Sequence, residues 1–126
     1  MPIITIQRLP KNISEKRLEI LRDAIIARVE SILELGLAGK DAVTVLFPDD
    51  RLKRGSRKKI IADVAIFSRP ERTEEVLAKL AEKVGTLLNS NFPNAKIECF
   101  IHPLERASGF WKIDPRPKQL TEVHHG

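Results

Sequence analysis

The chain has 126 residues, 42% of them hydrophobic and 31% charged, so it is of single-domain length and can bury a core without staples. Its formal charge of +5 favours anionic partners without choosing among small carboxylates, phosphates and nucleic acid. The single cysteine, Cys99, excludes an intrachain disulfide framework, and no apolar run approaches membrane-spanning length, so a soluble cytoplasmic protein is expected.

The chain opens Met1-Pro2-Ile3-Ile4-Thr5-Ile6. Ile3 to Leu9 is β-rich and short, and Pro10, Lys11 and Asn12 end it with turn chemistry, which predicts a first strand. Ser14 reads as a helix N-cap, with Ile13 before it and Leu18 after it spaced as a hydrophobic staple. Leu18, Leu21, Ile25, Ile32 and Leu35 recur at helical spacing, and Gly36 stands where a helix would stop. Val43 to Phe47 predicts a second strand. Between Arg51 and Lys59 the segment RLKRGSRKK carries six basic residues, with Gly55 and Ser56 as turn residues. Ile60 to Phe67 is a nearly continuous apolar run and predicts a third, central strand covered on both faces. Thr73 or Ser68 then caps a second helix with Leu77, Leu80, Val84, Leu87 and Leu88 on its buried stripe. A fourth strand, Lys96 to Ile101, holds Cys99 as a core thiol and precedes a tail with Phe110, Trp111 and three prolines.

This order predicts an α+β domain: two right-handed βαβ units, residues 1–47 and 60–101, joined by the basic loop 48–59 and followed by a tail, 102–126. Together they form a four-stranded mixed sheet with both helices on one face. The bare face needs a cover, and the expected cover is another copy of the chain.

Two features carry chemistry. With Met1 removed, Pro2 would present a secondary amine that is a stronger base than an ordinary α-amino group (about 7.7–8.0), and burial beside apolar strands would lower its pKa toward neutral. Many chains begin Met-Pro without such a role. In Ser68-Arg69-Pro70-Glu71-Arg72-Thr73, two guanidiniums three residues apart stand at the start of a helix, whose free N–H groups add positive charge. That combination suits a carboxylate. The alternative is that Arg69 and Arg72 are solvated and pair with Glu71 and Glu74.

Met-Pro heading a strand, two βαβ halves and this length together resemble the tautomerase superfamily. The segment from Ser68 is similar to the matching loop of malonate semialdehyde decarboxylases, which share Ser-Arg-Pro, and of cis-3-chloroacrylic acid dehalogenases, which share Arg-x-x-Arg. The resemblance implies a homotrimer with Pro2 as catalytic residue, Arg69 and Arg72 binding a small carboxylate substrate, and no cofactor. It also implies that Asp41 helps to activate water beside the proline, although a plain turn aspartate fits that position too. The tautomerases of 4-oxalocrotonate carry an arginine where this chain has Thr44, which counts against that substrate. The stretch from Ile97 to Trp111 is similar to the last strand and loop of the macrophage migration inhibitory factor group, so Phe110 and Trp111 either wall a pocket or pack at an interface.

Other chemistries fare less well. No glycine-rich phosphate loop is present. His102, His124, His125 and Cys99 lack metal-ligand spacing, so no metal is expected. The basic segment supports a rival reading, a non-catalytic homotrimer that binds anions or nucleic acid through residues 51–59. No aromatic residue interleaves its cations, and nucleic acid is not the expected partner.

Overall fold

In the computed structural model, which describes residues 2–37, 42–49 and 59–115, two strand–helix–strand units follow one another. The first is β1 (Ile3–Gln7), α1 (Glu15–Glu30) and β2 (Thr44–Leu46); the second is β3 (Lys59–Phe67), α2 (Glu74–Asn91) and β4 (Lys96–Leu104). The strands form a mixed sheet in the order β2-β1-β3-β4. Within each unit the strands are parallel, and the units join through antiparallel β1 and β3, with Ile3 opposite Ala65 and Gln7 opposite Ile61. Asp41 and residues 51–58 of the basic segment lie outside the described residues.

Alternation along the strands decides which side is covered. On one face Ile4, Ile6, Ile60, Ala62, Val64 and Ile66 are buried against Leu21, Ile25 and Val29 of α1 and Val76, Leu80, Val84 and Leu88 of α2. Each such valine, leucine or isoleucine side chain contributes about 1.5–3 kcal/mol of hydrophobic stabilisation. The helices run antiparallel over this face. Arg17 near the start of α1 donates to the Asn91 carbonyl at 3.1 Å and stacks on Phe92, while Arg28 near its end reaches Thr86.

On the other face Lys59, Ile61, Asp63, Ala65 and Phe67 of β3 are only half-buried, so the chain covers this central strand on one face, not on both as its apolar run suggests. Polar pairs occupy the open face, two of them between β3 and β4 and one, Lys96 with Glu98, along β4. Lys59 Nζ lies 2.9 Å and Lys96 Nζ 3.6 Å from Glu98, and His102 Nε2 lies 2.9 Å from Asp63 Oδ1. Phe100 and Leu46 project there too, each 48% exposed.

The helix caps match the sequence pattern. Ser14 Oγ accepts from the Arg17 N–H at 3.1 Å, and Thr73, not Ser68, caps α2 by accepting from the Val76 N–H. Element ends differ more. The first helix stops at Glu30 rather than running to Gly36. Ser31 folds its hydroxyl back on the Arg28 carbonyl at 2.6 Å, and Ile32 is extended. A separate 3-10 turn, Leu33–Leu35, then ends on Gly36 at φ 64°, a left-handed conformation that a side chain would disfavour. β1 stops at Gln7 because Arg8 takes φ 71°. β4 runs three residues beyond Ile101, through Pro103, which an edge strand tolerates. Cys99 is half-buried on the helix side. Burial, with the nearby Asp63 charge adding to it, pushes its thiol pKa up to about 11. Among the described residues no helix is long and apolar enough to cross a membrane.

Leu80 has no solvent exposure, so Leu80→Ala is expected to cost about 2–5 kcal/mol in urea unfolding. Glu98 has its pKa held below the usual carboxylate value, first by the hydrogen bond from Lys59 and then by the charges of Lys59 and Lys96. A depressed carboxylate pKa stabilises the fold above the unfolded value, and the benefit is lost as pH falls through the folded value. Unfolding midpoints should therefore drop on acidification below the ordinary Glu range, and less steeply in Glu98→Gln.

Candidate active site

The topology gathers the candidate residues at one end of the sheet. β1 and β2 start there while β3 and β4, which run the other way, end there. Ile3 stands opposite Ala65, which sets Pro2 level with the last residues of β3, and the Pro2 carbonyl accepts from the Thr44 N–H at 3.0 Å. Pro2 is buried in phase with Ile4 and Ile6, on the helix side. Its nitrogen belongs to the backbone and so lies at the sheet's end rather than within either face.

The loop after β3 sorts its two arginines by turn geometry. The Arg72 N–H donates to the Arg69 carbonyl at 3.0 Å, closing a four-residue turn with Pro70 at its second position, where proline's fixed φ fits. The first and last residues of such a turn diverge. Arg69 is exposed. Arg72 is only 7% exposed, and it donates from Nη1 to the Phe67 carbonyl at 2.6 Å and from Nη2 to the Leu35 carbonyl at 2.8 Å. Its Nε is buried without a partner among the described residues. Burial, then repulsion from Arg69, lowers the Arg72 pKa, with Glu71 offsetting part; a guanidinium keeps its proton all the same. Both forked nitrogens are thus used to hold the end of β3 to the 3-10 turn after α1, and Arg69 is the member of the pair whose charge faces solvent.

A cavity of about 480 Å³ opens at this end on the helix-free face, lined by Ile3, Ala65, Phe67, Leu104, Glu105 and Phe110 among others. Ile3 is the residue after Pro2. Phe110 meets Phe67 edge to face, with centroids 4.8 Å apart. The Ser68 N–H donates to the Leu104 carbonyl at 2.9 Å, so the loop bearing Arg69 lies against the segment that walls the cavity. Trp111 is 81% exposed. Among the described residues no cluster of His, Cys, Asp and Glu is arranged to hold a metal ion.

The sequence reading missed Phe67 as a lining residue of this cavity and Arg106 as the neighbour of two lining rings. Arg106 stacks on Phe67 and Phe110, with its guanidinium carbon 4.7 Å and 5.2 Å from their centroids. Phe67 was legible only as the last apolar residue of a strand, and nothing in the local pattern around Arg106 marks it. The division between the two loop arginines is checkable by unfolding. Arg72→Met should cost about 1–3 kcal/mol for each carbonyl left unpaired, whereas exposed Arg69→Met should stay within about 0.5 kcal/mol. Equal effects would contradict it.

No protein-family model matches the sequence, and no curated protein matches it. Solved structures do resemble it. A member of the cis-3-chloroacrylic acid dehalogenase family is similar with a TM-score of 0.67 and 15% identity, over 96% of this chain and 89% of that one. A fused 4-OT, described as an asymmetric trimer, is similar with a TM-score of 0.64 and 12% identity, over 94% and 98%. A malonate semialdehyde decarboxylase is similar with a TM-score of 0.54 and 15% identity, over 97% and 98%. The chain therefore shares the fold of these dehalogenase-family, 4-OT and decarboxylase structures.

Proposed function

We propose that the chain is a cofactor-independent proton-transfer enzyme of the tautomerase superfamily that acts on a small keto or enol acid. With Met1 removed, the Pro2 nitrogen takes the hydroxyl proton of an enol acid, and the resulting ammonium returns a proton to the neighbouring carbon, leaving the keto acid. Should the nitrogen stay protonated at working pH, it acts as an acid instead, which suits decarboxylation or hydration. Arg69 holds the substrate carboxylate and draws charge from the developing enolate. Arg72 supports this role by fixing the loop. Asp41, outside the described residues, orients water or the Pro2 nitrogen, and Phe110, with the exposed Trp111 next to it in sequence, walls the pocket.

One observation carries the reading. The start of β1, the loop after β3 and a cavity within the size range of small-molecule sites share one end of the sheet. The resemblance of the fold to dehalogenase and decarboxylase structures supports the same class of chemistry. The exposed apolar side chains on the open face support a homotrimer, as does the trimeric description of the 4-OT relative. A cytoplasmic location goes with the reading.

The test is ketonisation of phenylenolpyruvate by wild type and Pro2→Ala, paired with the intact mass of each. Loss of Met1 and a fall in kcat/KM of about 10²–10⁴ in Pro2→Ala are expected. A retained Met1 leaves an amide nitrogen that cannot be a base, and that result, or equal rates, overturns the reading. A pH–rate profile then assigns base or acid.

A further inference from the structure

The segment after β4 brings a third guanidinium to this end of the sheet. The chain passes through a 3-10 turn, Arg106–Ser108, and a glycine at φ 128°. This reversal returns Phe110 against Phe67 and leaves the Arg106 side chain on both rings. Ring faces attract a cation through their quadrupole but accept none of its five N–H donors in the way an oxygen does. Among the described residues no carboxylate or carbonyl takes a hydrogen bond or ion pair from the Arg106 side chain. The group is therefore placed by packing on two rings, while its donors face solvent and are open to an anionic ligand. Arg72, with its two carbonyls, shows the opposite case.

The cavity wall beside it sets the kind of acid that would fit. Ile3, Ala65, Phe67, Leu104 and Phe110 are apolar, and Glu105 contributes a carboxylate. An acid whose far end is uncharged gains apolar contact there, whereas a second carboxylate meets Glu105 and apolar wall, and desolvation opposes it.

The geometry points to Arg106 as a second substrate-binding arginine that, braced by Phe67 and Phe110, shares with Arg69 the single carboxylate of a monocarboxylic acid with an apolar tail and selects against dicarboxylates. This deepens the proposed function and rests on it for turnover, but not for binding. Arg106 and the exposed Arg69 stand on neighbouring segments joined by the Ser68–Leu104 hydrogen bond.

Calorimetric titration of full-length protein with hydrocinnamate and with succinate tests it. Wild type should bind hydrocinnamate at least about tenfold tighter than succinate, and Arg106→Gln should lose about tenfold or more of the hydrocinnamate affinity. Arg106→Lys should recover only part, because an ammonium lacks the planar fork. In turnover of phenylenolpyruvate, Arg106→Gln should raise KM about tenfold and change kcat less than about threefold. Since Arg106 is exposed, unfolding midpoints of both variants should match wild type, so the losses are not losses of fold. Unchanged hydrocinnamate affinity in Arg106→Gln, or equal affinity for succinate, overturns the inference even if Pro2→Ala abolishes turnover. Arg106-dependent binding without Pro2-dependent turnover refutes the proposed function and leaves the inference standing.

Discussion

The guanidinium of Arg72 is the constraint on which the site end of the molecule depends. Its two short hydrogen bonds join the last residue of β3, in the second unit, to the turn that follows α1, in the first. Burying a cation at the start of α2, where the helix dipole is unfavourable to it, costs free energy that only well-made hydrogen bonds offset. The return is positional. The Phe67 backbone is held by its carbonyl, which sets where its ring starts from, and that ring carries both Phe110 and Arg106. A buried charge thus sets the shape of a cavity that it does not line.

The rest of the fold follows from one-sided burial. Alternation in β1 and β3 puts Ile4, Ile6, Val64 and Ile66 under the helices and leaves a mixed face of ion pairs and isolated apolar groups outside. Antiparallel pairing at the centre of the sheet then brings the beginning of one unit beside the end of the strand that opens the other. A parallel join would have put them at opposite ends. The juxtaposition of Pro2 with the 68–73 loop is a product of topology and needs no local signal.

That distinction explains what was legible in the residues. The two βαβ units could be read because their signals are local: Ser14 and Thr73 as caps, Leu80, Val84 and Leu88 at helical spacing, VTVLF and IIADVAIF as strands. The single helix expected from Ser14 to Gly36 was too long because Ile32 and Leu35 keep the hydrophobic spacing across a break made by backbone angles, which composition does not record. Arg69 and Arg72 are three apart in sequence and look alike, yet the turn at Pro70 sends one to solvent and the other to the carbonyls of Phe67 and Leu35. The partner of Arg72 at Leu35 is 37 positions away, so no local pattern could tell the two apart. Arg106 was invisible for a similar reason, since one of its two ring partners, Phe67, belongs to β3, far back along the chain. Asp63, the one acidic residue in the third strand, is explained by its neighbour His102 on β4.

The bond from the Ser68 N–H to the Leu104 carbonyl has a mechanical meaning. It lies one residue before Arg69 on one side and two before Arg106 on the other, so the two segments hinge on a common pivot and do not swing separately. Lengthening either segment by a single residue between that bond and its arginine would shift one cation relative to the other and undo their spacing.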